Sequence, residues 1–417
     1  MNILVLCPHF EPDIAPTGEV MTTIANGLVA QGHRLHVITA LPWYRHHRIE
    51  PGWQGRAIRA QDTDWGRITR VHPFPTNKAN IPARAAAFGA YTALVTAVGL
   101  VGRRGPKPQL VLAMSPPITL GVAGWLVARR HRVPYVFNVQ DIFPDVAVEL
   151  GAITNQRLIA AASWLERFIY RHADAVTVLS DELARNVSAK LDRGRPPGRK
   201  TQVRVIPNFV DTTLVQVGNP DNDYRREHDL VGRTVVMYAG NVGLSQSLDL
   251  VVGAARALEH SHPDVCFVFN GEGSGRAELQ RSAAGLGNVR FVDYQPKERL
   301  AEVLAAGDLH LVPLRRGLAH ASVPSKLYSI LAAGRPVLAS VDPGTEVART
   351  IDSAGAGVAV GPEDQQAFVA ALRDLLARRD QWASMGAAGR SFVQGWASPA
   401  AVAGAYGALF EELRDRR

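Results

Sequence analysis

The sequence predicts an α/β protein built from two doubly wound parallel-sheet domains. Short apolar runs alternate with helical segments along most of the chain, which is typical of parallel sheets with helical crossovers. A polar, Pro- and Gly-rich stretch interrupts this alternation at 192–202, and the pattern then restarts. A chain of 417 residues is also longer than one core usually serves. We therefore expect domains over 1–202 and 203–398, followed by a helix over 399–417 that packs toward the first domain.

The first domain opens with a strand, a loop, a helix and a second strand. NILVLC at 2–7 and RLHVITA at 34–40 are the strands, and a helical pattern between them ends before Gly32. Further strands are predicted over 110–114, 135–139 and 175–180. Parallel strands place their carboxyl ends at one edge of the sheet, where ligands bind.

The second domain repeats this pattern and carries three loops suited to an anion. Its strands are predicted over 203–208, 234–240, 265–273, 289–294, 308–314 and 336–340. The loops YAGNVGLSQSL, NGEGSGRAEL and SVPSKLY lie between a strand and a helix. The glycines of the first two loops (Gly240, Gly243, Gly271 and Gly273) leave backbone amides open to a phosphate.

Lys326 lies in the first turn of a helix that is predicted to end at Gly334. A lysine there opposes the helix dipole unless an anion lies between them. A solvated surface lysine is the alternative, but the neighbouring glycine loops favour a phosphorylated ligand. Ser325 and Ser329 lie beside Lys326 and are candidate donors to the same ligand.

Composition and motifs exclude several functional classes. Cys7 and Cys266 form neither a disulfide framework nor a metal-ligand pattern, and no secretion signal is recognised, so we expect a cytoplasmic protein. The acid-x-acid triplets DTD (62–64) and DND (221–223) are interpreted as structural, and we predict no metal and no cofactor. The absence of GxGxxG after the first strand disfavours a dinucleotide oxidoreductase.

Charge is distributed unevenly along the chain. Residues 1–205 carry 25 Lys and Arg against 14 Asp and Glu, a net charge of +11, whereas the remainder carries 21 against 24. No nucleic-acid motif accompanies the basic half, so we exclude nucleic acid and expect an anionic membrane surface as partner. The uncharged segment 85–102 is interpreted as a domain helix resting on the bilayer, with an ordinary buried helix as the alternative. The basic residues that flank it are Lys78, Arg84, Arg103, Arg104 and Lys107.

The ordered set of motifs resembles retaining GT-B glycosyltransferases of family 4. GEVMTTIANGLVAQGHRLHVITA, ADAVTVLSDEL, VRVIPNFVDTT, VVMYAGNVG, FNGEGSGRAEL and AAGRPVLAS follow the family's order. The segments D-x-x-P-x and S-x-P-S-K resemble those of the family branch whose enzymes build capsule, exopolysaccharide and O-antigen repeat units. The resemblance implies two Rossmann-like domains facing a cleft. It also implies metal-independent, front-face sugar transfer from a nucleoside diphosphate, UDP favoured over GDP, to a lipid-linked or polysaccharide-precursor acceptor at the inner membrane.

The chain departs from the family at charged positions. Two glutamates that are common in the family align with Ala321 and Ser329, and an arginine and a lysine align with the loop that holds Asn241 and Gln246. Lys326 is therefore expected to replace the missing cations at the diphosphate. Asn241, Gln246 and Tyr294 complete the candidate donor-binding set.

In the first domain, the resemblance implies roles for Gly18 and Asp141. Gly18 heads the first helix near the donor phosphates, with a simple turn as the alternative. Asp141, in VQDIFPD, occupies the region that faces the transferred sugar in similar enzymes, so Asp141 and Lys326 are the catalytic candidates. His9 and Asp145 are interpreted as structural. A nucleotide-sugar epimerase of the same fold and a degenerate, non-catalytic partner protein remain as alternatives.

Overall fold

Two compact units make up the protein. The computed structural model describes residues 1–45, 47–76, 81–101, 106–145, 148, 153–192, 201–243, 246–317 and 325–416. One unit comprises Met1–Asn208 with Val402–Arg417, and the other comprises Phe209–Ala401. Each is a largely parallel sheet flanked by helices, which confirms the predicted fold class.

The described part of the first unit contains an eight-stranded sheet in the order β3-β4-β2-β1-β5-β6-β7-β8. Its strands are β1 (Asn2–Leu6), β2 (Arg34–Ala40), β3 (Ile58–Thr63), β4 (Gly66–Val71), β5 (Leu110–Ser115), β6 (Tyr135–Val139), β7 (Ala175–Val178) and β8 (Gln202–Val205). Its first helices are α1 (Pro16–Ala30), α2 (Ile81–Val101), α3 (Leu120–His131), α4 (Gln156–His172) and α5 (Asp181–Asp192). Only β3 and β4 pair antiparallel among these strands. The central strands β5 and β6 are buried at every residue, as expected where helices cover both faces.

The described part of the second unit contains a six-stranded parallel sheet in the order β11-β10-β9-β12-β13-β14. Its strands are β9 (Thr234–Ala239), β10 (Val265–Asn270), β11 (Val289–Val292), β12 (Leu309–Pro313), β13 (Val337–Ser340) and β14 (Gly357–Val360). Its helices are α6 (Asp223–Glu227), α7 (Leu248–Leu258), α8 (Arg276–Ser282), α9 (Leu300–Ala306), α10 (Ser325–Ala332), α11 (Glu346–Ala354), α12 (Gln365–Ala377) and α13 (Trp382–Trp396). The last helix, α14 (Pro399–Asp415), belongs to the first unit from Val402 onward. Short 3-10 helices span Lys297–Arg299 and Arg379–Gln381.

Strand β8 corrects one element of the sequence prediction. The run at 203–208 was expected to open the second domain, but β8 pairs in parallel with β7 and closes the first sheet. An apolar run predicts a strand, but it does not determine the sheet in which that strand pairs. The polar stretch 192–202 therefore lies within the first unit, between α5 and β8, and its residues 193–200 lie outside the described part.

Each sheet has a point at which the chain reverses its winding direction. The opening strand β1 lies between β2 and β5, and β9 lies between β10 and β12. The crossovers on the two sides of such a strand leave in opposite directions, so a crevice opens beyond its carboxyl end. We call these crevices the first and second switch points, at β1/β5 and β9/β12.

The helix α14 packs on the first sheet. The Tyr406 hydroxyl lies 2.8 Å from Asn138 Nδ2 and 3.1 Å from Thr177 Oγ1, on β6 and β7. Arg204 of β8 forms an ion pair with Glu412 at 2.8 Å. These contacts account for the assignment of Val402–Arg417 to the first unit.

In the described residues, α2 is the one helix that is long and apolar enough to cross a membrane, by length and composition alone. The qualifying segment Ala83–Val101 has a mean hydropathy of 1.4. One side of α2 packs inside the unit: Tyr91 donates to the Cys7 carbonyl at 2.7 Å, and Thr92 and Thr119 share a hydrogen bond of 2.7 Å. The opposite side is exposed. Lys78, Arg103 and Arg104 lie outside the described part of the chain.

Candidate functional site

Two loops cross closely at the second switch point. Gly240 follows β9 and Gly271 follows β10, with φ of 141° and 148°. A Cβ on Gly271 would lie 2.0 Å from the Gly240 carbonyl oxygen, and one on Gly273 would lie 2.2 Å from the Val242 oxygen. Both distances are far below the 3.0 Å under which real Cβ atoms essentially never approach another heavy atom. The glycines therefore allow the backbones to approach, in a conformation that other residues rarely adopt.

The amides of Gly240, Gly243 and Gly271 are already bonded within the protein, which corrects the sequence-based expectation for these three glycines. Gly240 and Gly271 donate to the carbonyls of Asn270 and Val292, each at 2.9 Å. Gly243 donates to Gln246 Oε1 at 3.1 Å. The sequence pattern identified a loop cluster with special backbone geometry, but the Gly240 and Gly271 amides extend the strand pairing of the sheet and the Gly243 amide bonds within its own loop. A side chain can supply the positive charge that these amides do not.

Lys326 is the candidate for that charge. It lies in the first turn of α10, and its Nζ would be 3.2 Å from a Cβ on Gly240. The ammonium donates to the Tyr238 hydroxyl at 2.9 Å and lies 4.1 Å from the centre of that ring. Tyr238 in turn donates to the Asn241 carbonyl at 2.6 Å. Aromatic ring and hydroxyl thus hold the lysine at the crossing loops.

Burial lowers the pKa of Lys326 to about 8. The shift arises because the ammonium has left water, and no carboxylate among the described residues offsets that loss. A buried cation without an anionic partner is costly. An anion bound beside Nζ would remove this cost and raise the pKa again. The geometry therefore favours a negatively charged ligand at the second switch point.

The structure brings most of the predicted donor-binding residues to this place. Gly240, Asn241, Gly243, Gln246, Gly271 and Gly273 lie in the crossing loops, and Ser329 lies one turn after Lys326 on α10. Tyr294 is the exception. It follows β11, the edge strand of the sheet, and its side chain is 67% exposed. Ala321, like the Ser325 side chain, lies outside the described part of the chain.

Arg276 is a second cation near the loops, at the start of α8. Its guanidinium donates to the Gly271 carbonyl at 2.9 Å and pairs with Asp293 at 2.7 Å. No role was predicted for this arginine from the sequence. Its position directly after the glycine loop NGEGSG is the feature from which a role at the loop could have been predicted.

In the first unit, Asp141 stands just beyond the carboxyl end of β6, with its side chain reaching solvent. Partial desolvation by the surrounding loop raises the pKa of its carboxyl group. Gly18 lies in the first turn of α1, where a Cβ would contact His9 Cβ at 3.0 Å and the Asp13 carbonyl at 3.2 Å. Gly18 therefore lies where α1 packs closely against the loop that holds His9 and Asp13, and a side chain at this position would need that loop to shift.

Asp145 belongs to a buried ion network. Lys190 Nζ bonds Asp145 Oδ2 at 2.8 Å and the two Glu166 oxygens at 2.8 and 2.9 Å. The Tyr170 hydroxyl also donates to Glu166, whose pKa is raised by burial. The network ties the segment after β6 to α4 and α5. Such a role agrees with the structural interpretation of Asp145.

Two family models match the chain, one in each unit. Residues 17–208 match a "Glycosyl transferase 4-like domain", and residues 233–378 match "Glycosyl transferases group 1". Together the two matched segments account for most of the chain. The second segment contains the crossing loops and Lys326, and the first begins at Thr17, after the loop residues His9 and Asp13.

Individual proteins show the same relationship. The chain is 28% identical over 388 residues to WcaI of Escherichia coli K12, described as a colanic acid biosynthesis glycosyl transferase, covering 90% of this chain and 92% of WcaI. The fold of the present chain is similar to that of the sucrose-phosphate synthase from Thermosynechococcus elongatus (TM-score 0.65, 19% identity, 100% of both chains). It is also similar to Anabaena HepE in complex with UDP (TM-score 0.64, 15% identity, 99% of this chain and 100% of HepE).

Proposed function

Because the chain belongs, through its two matched domains, to the GT-B glycosyltransferases of polysaccharide biosynthesis, we propose that it moves a sugar from a nucleoside diphosphate to a lipid-linked or polysaccharide-precursor acceptor. The transfer retains anomeric configuration, needs no metal, and uses UDP in preference to GDP. The observation that carries the proposal is Lys326, a buried cation without an anionic partner among the described residues, beside the crossing loops. HepE, a structure of the same fold, holds UDP. The family assignment favours transfer over the epimerase and non-catalytic alternatives.

Lys326 stabilises the departing diphosphate in this reaction. As the bond between sugar and phosphate lengthens, negative charge grows on the phosphate oxygens, and a preorganised ammonium in a desolvated place stabilises it without rearrangement. Asp141 orients the transferred sugar or stabilises the positive charge that develops on it. In a front-face transfer, the acceptor proton passes to the departing phosphate oxygen as the acceptor oxygen bonds to the sugar carbon. Orientation and charge stabilisation then suffice.

Calorimetry with UDP and GDP tests the nucleotide part of the proposal. Lys326→Ala should raise the Kd for UDP about 10- to 100-fold, since a charge-assisted hydrogen bond contributes about 1.5–3 kcal/mol. Arg373→Ala, which removes an exposed cation of α12 in the same unit, is the matched control and should leave the Kd unchanged. An unchanged Kd in Lys326→Ala would contradict the assignment. Tighter binding of GDP than UDP by the wild type would contradict the nucleotide preference.

We further propose that the first unit docks on the cytoplasmic surface of the inner membrane through α2. The exposed side of this helix consists of small apolar residues from Ala85 to Val101, among them Gly89, Ala93 and Ala97. A soluble helix usually carries charge on its exposed side. Arg84 at the start of α2 adds a cation, and the net positive charge of residues 1–205 is complementary to anionic lipid.

Vesicle co-sedimentation tests this docking. The wild type should sediment with anionic phosphatidylglycerol vesicles at low salt and not with neutral phosphatidylcholine vesicles. Ala93→Glu with Ala97→Glu should abolish sedimentation. Gln366→Glu with Ala370→Glu, the same spacing on exposed positions of α12, is the control for added charge. Wild-type protein that ignores anionic vesicles would show that α2 is simply a helix of the fold.

A further inference from the structure

A buried histidine–carboxylate pair lies at the first switch point, in the loop between β1 and α1. His9 Nδ1 is 2.6 Å from Asp13 Oδ2. The other carboxylate oxygen, Oδ1, accepts hydrogen bonds from the backbone amides of Trp43 and Tyr44 at 3.1 and 3.0 Å. The Asp13 side chain is fully buried, and that of His9 is 10% exposed. Both oxygens of Asp13 are therefore occupied as acceptors.

This hydrogen-bond pattern determines which nitrogen of His9 carries the proton. A carboxylate whose two oxygens accept hydrogen bonds requires N–H at Nδ1 of the ring, and a neutral imidazole then has a lone pair at Nε2. No described residue bonds Nε2. The pair thus holds the ring in one orientation, and in its neutral form the ring presents a single hydrogen-bond acceptor that the rest of the described unit does not use.

The surroundings of His9 are aromatic. The Trp43 ring stacks on the imidazole with centres 5.8 Å apart and planes 30° from parallel, and the Tyr44 ring meets it edge-on at 5.1 Å. Both aromatic residues are only half-buried. They follow β2, whereas His9 follows β1, so two adjacent strand ends on one side of the crevice supply an apolar surface and one polar acceptor. That combination suits a pyranose ring, which has an apolar C–H face and hydroxyls at its rim.

We propose that the first switch point is a sugar subsite, in which His9 Nε2 accepts a hydrogen bond from a hydroxyl of the bound sugar. The half-buried rings of Trp43 and Tyr44 supply apolar surface against which the C–H face of the sugar packs. Asp13 is a positioning residue, because it acts through the tautomer and orientation of His9. The subsite deepens the proposed glycosyl transfer and rests on it for the class of ligand. The sugar is either part of the acceptor or the transferred sugar of the donor.

Two variants remove the acceptor in different ways. His9→Phe keeps a ring of similar size without a nitrogen. In Asp13→Asn, the amide oxygen can still accept from Trp43 and Tyr44 while the NH₂ group donates to His9 Nδ1. The histidine proton then moves to Nε2, which becomes a donor. The ¹⁵N chemical shifts of the ring nitrogens report this change directly, and a merely structural role for Asp13 would not produce it. His131→Phe, at a half-buried histidine of α3, is the control.

Binding assays on the full chain separate the two sources of the sugar. One arm measures Kd for octyl glucoside, galactoside and mannoside below their micellar concentrations. The other compares UDP with UDP-glucose, UDP-galactose and UDP-N-acetylglucosamine. An acceptor subsite predicts that both variants weaken glycoside binding about three- to tenfold with donor Kd unchanged. A donor subsite predicts loss of the same size in the affinity for the UDP-sugar but not for UDP.

Wild-type affinities in both variants would overturn the subsite, and so would a wild type that binds no glycoside and does not distinguish UDP-sugars from UDP. Equal losses in the His131→Phe control would also count against it. The outcome is separate from the test of Lys326, which uses UDP alone. A Lys326→Ala variant with unchanged UDP affinity would overturn the proposed diphosphate site. The sugar subsite at His9 would still be decided separately, by the glycoside and UDP-sugar affinities of the His9 and Asp13 variants.

Discussion

The two switch points of the molecule occupy equivalent places in their sheets but are built from different chemistry. The first is formed by side chains: a histidine, a buried carboxylate and two aromatic rings lie together beyond the ends of β1 and β2. At the second, two backbones cross where glycine is required, and Lys326 lies beside the crossing without a carboxylate partner among the described residues, whereas Arg276 is paired with Asp293. The same doubly wound topology thus carries the proposed hydroxyl-binding surface in one unit and the proposed anion-binding place in the other, because loop sequence rather than sheet topology sets the chemistry.

The first unit should be sensitive to loss of charged side chains inside it. Lys190→Met leaves the fully buried Glu166 and the neighbouring Asp145 without their cation, and breaking such a buried pair costs about 3–5 kcal/mol. Urea unfolding should show this loss in stability. Lys190→Met combined with Glu166→Gln should recover a large part of it, since no buried charge is then uncompensated at position 166. Equal stabilities of the single and double variants would show that Glu166 does not depend on Lys190.

The second unit should instead be sensitive at its backbone crossing. Gly271→Ala places a methyl group 2.0 Å from a carbonyl oxygen at a φ of 148°, so we expect a loss of about 3 kcal/mol. Gly232→Ala is the matched control: its φ is 73° but nothing lies within 4 Å of the added carbon. Its cost should be near the 1–2 kcal/mol of a left-handed residue alone. Thermal denaturation of both variants measures the difference, and similar melting temperatures would argue against a tight crossing.

Catalysis should separate the units as well. Asp141→Asn should keep UDP affinity, which the proposed function assigns to the second unit, and lower turnover at saturating UDP-sugar at least about tenfold, because the charge proposed to orient or stabilise the sugar is gone. Asp181→Asn, at an exposed carboxylate of α5, is the control. Turnover of Asp141→Asn near that of the wild type would make Asp141 a structural residue.

The smallest expected effect is a pH dependence confined to the second unit. With a pKa of about 8, Lys326 is mainly charged at pH 7 and mainly neutral at pH 9, so UDP affinity should fall up to about tenfold over this range. The sign follows because only the charged form attracts the diphosphate. Lys326→Arg stays charged throughout and should show no such fall. Octyl glycoside binding, if it belongs to the first unit, should not follow the Lys326 titration.

Stability should respond to the same group with the opposite sign. Folding lowers the pKa of Lys326 from 10.5 to about 8, so the unfolded chain binds more protons between these values. The contribution of Lys326 to the free energy of unfolding therefore rises as pH increases from 8 toward 10.5. Below pH 8 the full desolvation penalty applies.

Sequence patterns predicted the repeated units well and their boundary poorly. The strands β2, β6 and β9 were located by their apolar runs, since buried parallel strands leave such runs intact. The antiparallel strands β3 and β4 have exposed or mixed residues and were missed. β8 was recognised as a strand but assigned to the wrong sheet, because pairing depends on the partner strand β7 and not on the run itself.

For the site, the sequence by itself determined the positions of the glycines, the lysine in the first turn of a helix and the family motifs. Those signals are local, since they depend on spacing along a few residues. Only the tertiary structure decided that the Gly240 and Gly271 amides bond to the ends of adjacent strands and that Lys326 packs on Tyr238. Only tertiary structure, again, showed that His9 is held by a carboxylate bound to amides 30 residues away. Burial and hydrogen bonding of that kind arise between segments distant in sequence, and they set the charge, tautomer and accessibility on which the chemistry depends.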